Sequence, residues 1–298
     1  MGFFCFSKFL SSILHKGFLG GYFGKNKLKM KRQSNYVETY LEDLQGKGKY
    51  TFVSVELPTL FNVTENAIKK VLQRLKVQKK ISLVRKGFYV IVPPEYRVRG
   101  IIPYSFYVHD LMKFLKRDYY VGLQNAAAYY GAAHQQPQSF AIITQGIPLR
   151  SIKSDLIAID FYHKKIWPNE FVTQRKSNTG YFNISSPELT ALDLIKFYKE
   201  VGGFNRVLNM IEDLVEVMSP EQLLLLAHSY NDIAVVQRLG YLLEFVLHEV
   251  VLSAVLQNYL LTVSHYPILL RPSIIKPQKM KTGNHWKVVV NIEIDIEL

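Results

Sequence analysis

The chain has 298 residues, 48% hydrophobic and 20% charged, with a formal net charge of +13. That composition excludes a disordered polyelectrolyte and leaves room for two domains with a substantial core. The only cysteine, Cys5, excludes an intramolecular disulfide framework and a thiolate metal site, and makes a reducing, cytoplasmic compartment the default.

The positive charge is unevenly spread. Residues 1–29 hold five lysines and no acid, residues 30–99 hold fourteen Lys/Arg against six Asp/Glu, and residues 100–298 hold eighteen of each. A polyanion partner is therefore expected for the first third alone. Within it, residues 1–29 stand apart. Their apolar run is broken by Lys8, His15 and Lys16 and lacks a small-residue cleavage site, which argues against a secretory signal. Gly2 invites myristoylation, but position 6 is Phe where that signal wants Ser or Thr. We read the stretch as a disordered tail or as sequence upstream of a start at Met30, in preference to a basic membrane-surface segment.

Residues 34–45 place Val37, Tyr40, Leu41 and Leu44 on one helical face, and Gly46-Lys47-Gly48 ends that helix. A short helix is expected over 53–61, with Ser54 as cap and Pro58 near the first turn, where its missing N–H costs least. Asn62-Val63 turns the chain into residues 64–80. There Thr64 is a good N-cap, and Ala67, Ile68, Val71, Leu72 and Leu75 make one apolar stripe. Asn66, Lys69, Lys70 and Gln73 share the opposite face, flanked by Arg74 and Lys76. Taken alone, this is a solvated basic helix. The next stretch, 81–92, changes that reading: two β-rich runs flank Arg85-Lys86-Gly87, a hairpin with glycine supplying the positive φ of a tight turn. Helix, turn, basic helix and basic-tipped hairpin is the order of a winged helix-turn-helix, whose amide and cationic side chains meet base edges and phosphates of duplex DNA. We assign it to residues 30–95, because Pro93-Pro94 cannot continue a sheet.

Residues 96–298 read as a larger mixed domain, helices around a small, mostly antiparallel sheet, so the fold class is α+β. Two apolar helices are expected over 105–117 and 119–133. The tyrosine pairs 119–120 and 129–130 could stack bases, but core packing is the commoner fate of such side chains. Strand-like runs follow at 140–144, 157–162, 170–173 and 181–184. Ser186-Pro187-Glu188 and Ser219-Pro220-Glu221 are matching helix starts, with Ser as cap and Pro in the first helical position. The expected helices are 189–200, 204–218, 221–230 and 232–249, the last extending toward Leu261. Glu244, His248, Glu249, Gln257 and Asn258 interrupt the longest apolar region and argue against a membrane span. An alternating strand over 286–297, with Glu293, Asp295 and Glu297 on one face, closes the chain.

Catalytic equipment is sparse. The eight histidines are scattered without the spacing of a helical zinc site, and no glycine-rich phosphate loop follows a strand. No cofactor or metal is expected. A metal-dependent nuclease is the rival worth stating: Asp155, Asp160 and Glu170 lie near strands beside Lys164 and Lys165, but Tyr162 occupies the lysine position of the usual acid-x-Lys.

The segment DYYVGLQNAAAYYG, starting at Asp118, together with SPELTALDL from Ser186, resembles AbiEi-type antitoxins, the transcriptional-regulator halves of type IV toxin–antitoxin pairs. QRLGYLLE from Gln237 and the closing Trp286 and Asn291-Ile292-Glu293 add to the resemblance, which spans about residues 34–298. It implies an N-terminal winged helix and a C-terminal antitoxin domain, binding to promoter inverted repeats, autorepression, and no enzymatic activity. It further implies a nucleotidyltransferase toxin as functional partner, countered without a stable complex and with a role in phage defence. Thr64, Asn66, Lys69, Lys70, Gln73 and Arg74 then match the recognition helix, and Lys79, Lys80, Arg85 and Lys86 match the wing. A stand-alone winged-helix regulator is the alternative.

Overall fold

The computed structural model of the chain describes residues 35–133, 137–273 and 283–292. The expectations for residues 1–29 and for Glu293, Asp295 and Glu297 lie outside these. Helix α1 (Asn35–Gly46) buries Val37 and Leu41. The stretch 53–61, read as one helix, divides into the end of strand β1 (Thr51–Val53), a 3-10 turn and the short α2 (Leu57–Phe61). β1 is too short for periodicity to reveal it, and it exists because it pairs antiparallel with a later strand. Asn62, in the left-handed region at φ +50, turns the chain into α3 (Glu65–Val77). Strands β2 (Ile81–Arg85) and β3 (Phe88–Ile91) follow, with Gly87 at φ +88 in their turn.

These strands form a three-stranded antiparallel sheet in the order β1-β3-β2. One face, with Phe52, Ile81 and Ile91, closes on the three helices through Val37, Leu57, Ile68 and Leu75. The other, with Val84, Phe88 and Val90, packs on Phe106 and on α4 (Val108–Phe114). Phe88 and Phe114 have ring centroids 5.3 Å apart, and the Thr51 hydroxyl donates to Asp110 at 2.5 Å. Apolar packing thus continues across residues 93–100, seating the basic third on the body.

The body is built on a six-stranded sheet in the order β6-β7-β5-β4-β9-β8. Its strands are β4 (Tyr119–Val121), β5 (Phe140–Thr144), β6 (Ile152–Lys153), β7 (Ala158–His163), β8 (Val172–Ser177) and β9 (Gly180–Ser185). The sheet is mixed rather than mostly antiparallel, since β5 runs parallel to β7 and β4 parallel to β9. The expected helix 119–133 is corrected too: its first three residues are strand β4, and only α5 (Leu123–Tyr129) is helical. Both faces of this sheet are covered, and a continuous apolar run reads equally as buried strand or buried helix. Alternation is strict. Tyr119, Val121, Phe140 and Ile142 face α4, while Tyr120, Ala141 and Ile143 face the other way.

That second face carries a helical layer of α6 (Pro187–Lys196), α7 (Phe204–Val215), α8 (Pro220–Tyr230), α9 (Ile233–Phe245) and α10 (Val250–Leu261). Ser186 and Ser219 cap α6 and α8, each accepting from an amide at 3.3 Å. The expected helix 232–249 stops early, and His248 at φ +58 separates α9 from α10. Of the closing strand only β11 (Val288–Val289) forms among the described residues, parallel to β10 (Ile268–Leu269).

Trp286 is fully buried against α9. Its indole N–H donates to Glu244 at 2.7 Å, its carbonyl accepts from Gln237 at 2.7 Å, and its ring lies over Gly240. A Cβ at Gly240 would overlap the indole. Alanine normally gains about 1 kcal/mol over glycine inside a helix, but overpacking costs about 1–3 kcal/mol. Gly240→Ala is therefore expected to lower the melting temperature by several degrees despite its better helix propensity; a rise would show that the tryptophan seat is loose.

Candidate nucleic-acid interface

α3 presents the face expected of it. Ile68, Leu72 and Leu75 are buried, while Asn66, Lys69, Lys70 and Gln73 are exposed. Thr64 caps the helix through its hydroxyl, which accepts from the Ala67 amide at 3.3 Å, so this side chain is occupied at the helix start. Lys69 has only an exposed partner, Glu65 at 3.7 Å, an ion pair weak enough to exchange for a phosphate. Lys86 is exposed at the hairpin tip, with half-buried Arg85 beside it, and Lys79 is exposed at φ +53 just past α3. A cleft of about 620 Å³ lies between helix and hairpin, lined by Glu65 and Lys69 from α3, Lys86 from the hairpin, and the apolar Ile68, Leu72 and Tyr89.

Two of the assigned residues face elsewhere. Arg74 and Lys80 converge on Glu38 of α1, at 3.4 and 2.6 Å. Their charges are partly neutralised there, and the pair braces α1 against the end of α3. The structure thus brings Asn66, Lys69, Lys70 and Gln73 onto one face with Lys86 across the cleft, and sets Arg74 and Lys80 behind them. The carboxylates of the nuclease reading do not converge. Asp160 pairs with Lys153 at 3.4 Å, and among the described residues no group of three or more His, Cys, Asp or Glu could hold a metal ion.

Behind the sheet lies a feature that sequence reasoning missed. Asp193, fully buried on α6, accepts from Lys164 at 2.7 Å, from Tyr120 at 2.6 Å and from Tyr230 at 2.8 Å. Lys164, also buried, lies 4.1 Å from the centre of the Tyr230 ring. Burial pushes the Lys164 ammonium below its ordinary value, opposed by Asp193. Burial, and then the Asp193 charge, push the Tyr120 and Tyr230 phenols well above theirs. Asp193 and Lys196 share one face of a helical pattern, which gave no sign that the aspartate would be turned inward. The only available signal was an aspartate between two leucines in the apolar second half of SPELTALDL.

The comparisons with known proteins bear on this layer. No curated protein matches the chain. Residues 120–245 match the family model described as "AbiEi antitoxin C-terminal domain". These residues form an AbiEi antitoxin C-terminal domain. Among solved structures, the RV2827C protein from Mycobacterium tuberculosis is similar at a TM-score of 0.59 and 15% identity, over 85% of this chain and 90% of that one; at this identity the likeness is one of fold. The match supports an antitoxin role. No helix among the described residues is long and apolar enough to cross a membrane.

The residues that carry the resemblance are architectural. Ser186 caps α6, Glu188 accepts from the Ser219 amide at 2.8 Å, and Asp193 anchors the buried network. Gln237, Gly240 and Glu244, one helical face of QRLGYLLE, form the seat of Trp286. Asn291 exchanges two hydrogen bonds of 2.9 Å with the Arg271 backbone. Tyr120 lies at the heart of the AbiEi domain core and Tyr119 is buried on the α4 side, so neither stacks bases.

The network also sets a pH response. Free tyrosine loses its proton near pH 10. In the AbiEi domain Tyr120 and Tyr230 keep theirs to higher pH, so above about pH 10 the native state binds more protons than the unfolded state and stability falls as pH rises. Lys164 acts in the opposite sense as pH approaches 10, because its folded-state value is depressed. Tyr230→Phe removes one tyrosine from this titration and leaves the lysine. Urea unfolding between pH 9 and 11 should give a shallower alkaline loss for Tyr230→Phe than for the parent, and equal slopes would show that Tyr230 plays no part in it.

Proposed function

We propose that the chain is a cytoplasmic, autorepressing antitoxin of a type IV toxin–antitoxin pair. In this reading residues 30–95 are a winged helix-turn-helix that binds inverted repeats in the chain's own promoter. Residues 96–298, with the AbiEi domain at their centre, counter a nucleotidyltransferase toxin without forming a stable complex with it, as a phage-defence device. The observation that carries the DNA half is the juxtaposition on α3 of Asn66, Lys69, Lys70 and Gln73 with Lys86 at the facing hairpin tip. A helix that offers amides and cations on one face, backed by a dry core, fits the major groove, and a cationic hairpin beside it fits the flanking backbone. Support for the antitoxin half comes from the family match over residues 120–245.

The test is protection of the chain's own upstream DNA by the full-length protein. Two protected half-sites related by an inverted repeat are expected, about one helical turn or a multiple of it apart. Uniform, sequence-independent protection would overturn the operator reading. For the antitoxin half, co-expression with a growth-arresting nucleotidyltransferase toxin from the neighbouring gene, where one is found, should restore growth, and should still do so when α3 carries Lys69→Ala and Lys70→Ala. Failure to restore growth would leave a regulator only.

A further inference from the structure

Residues 100–298 are electrically balanced as a whole, yet their cations are not evenly placed. Three loops meet at one end of the six-stranded sheet: the one entering β4, the one leaving β5 and the one leaving β7. Between them is a cavity of about 430 Å³ whose walls include Lys116, Arg117, His163, Lys164 and Lys165, against a single acid, Asp118. Among the described residues Lys116, Arg117 and Lys165 have no carboxylate within ion-pair distance. The Arg117 Nε is buried and lacks a hydrogen-bond partner among the described residues. Lys116 is held in the left-handed region at φ +53. Gly146, at φ +84, turns the chain beside the Arg117 guanidinium, where a Cβ would sit in ordinary contact with Nη1 at 3.8 Å.

The cavity adjoins a second of about 320 Å³ that shares His163, Lys164 and Lys165 and is completed by Ile166, Lys196, Tyr230 and Asn231. Lys196 is paired with Asp232 at 3.0 Å, so this second lobe is far less cationic, and it offers an apolar wall and an amide. An open cationic lobe beside a mixed apolar and amide lobe suits a small anion with an organic body. We propose that this cleft binds a nucleoside polyphosphate, its phosphate chain against Lys116, Arg117 and Lys165 and its nucleoside against Ile166 and Asn231. The antitoxin body would then carry a ligand site of its own, separate from the α3 face.

Titration calorimetry of the full-length protein at about 0.15 M salt tests this, with ATP, GTP, CTP, UTP and inorganic tripolyphosphate as separate probes. One nucleotide or more should bind saturably at one site per chain, more tightly than tripolyphosphate. Lys165→Glu, at an exposed position, and Arg117→Ala should each weaken nucleotide binding about tenfold or more, with unchanged melting temperature for the lysine variant. Asn231→Ala should weaken nucleotides and spare tripolyphosphate, and Lys69→Ala with Lys70→Ala should change neither. Absence of saturable binding by every probe up to about 1 mM would overturn the proposal. Equal affinity for tripolyphosphate and nucleotides would overturn the nucleoside lobe. Loss of duplex DNA binding in Lys165→Glu, with no nucleotide binding in the parent, would make these cations part of a DNA surface instead and sink the ligand site.

Discussion

Asp193→Ala is expected to destabilise the protein by about 3–5 kcal/mol, the range for removing one partner of a buried ion pair. Asp193 is fully buried and accepts from Lys164, Tyr120 and Tyr230, so its loss strands a buried ammonium and two phenol hydroxyls together. Domains of ordinary size are stable by only about 5–15 kcal/mol, which makes this single change large enough to impair folding at growth temperature. The companion variant separates charge from packing. Asp193→Leu combined with Lys164→Met removes both charges and keeps the volume roughly filled, so that only the two phenol hydroxyls lose their acceptor. The double variant should therefore be more stable than Asp193→Ala in urea unfolding. If Asp193→Ala loses under about 1 kcal/mol, water reaches the network and the argument from burial fails.

Lys69→Ala with Lys70→Ala should weaken binding to the promoter DNA at every sequence tested and flatten its salt dependence by about two units, one for each phosphate that is no longer neutralised. Both ammonium groups stand on the exposed face of α3, and Lys69 has only the exposed Glu65 to give up. Gln73→Ala should behave differently, costing about 1–3 kcal/mol on the cognate site while leaving non-cognate DNA and the salt slope nearly unchanged, because an amide reads a base edge and carries no charge. Arg74→Ala is informative for the opposite reason. Arg74 and Lys80 are turned to Glu38, so removing the guanidinium should lower stability more than it lowers the salt slope. Lys199→Ala, at an exposed position on the far layer, is the control and should change nothing. Unchanged affinity in the Lys69, Lys70 double variant would remove α3 from the interface.

The sequence by itself determined what depends on neighbours a few residues away. The stripe of Ile68, Leu72 and Leu75 dictates which side of α3 is dry, Ser186 and Ser219 start their helices, and Gly87 turns the hairpin. It also determined the charge imbalance that marks the first third. Tertiary structure decided the rest. Tyr119–Val121 is strand because β5 and β9 flank it; its residues are β-prone, but three of them are too few for a pattern to decide. Arg74 and Lys80 brace α1 because Glu38 arrives from 36 and 42 positions away. Asp193 meets Lys164, Tyr230 and Tyr120 across 29, 37 and 73 positions. Local pattern sets periods, caps and turns through steric and hydrogen-bonding preferences of adjacent residues. Which polar groups are desolvated together is settled only when distant segments close over them, and that closure gives the buried aspartate its partners and the cationic cleft its walls.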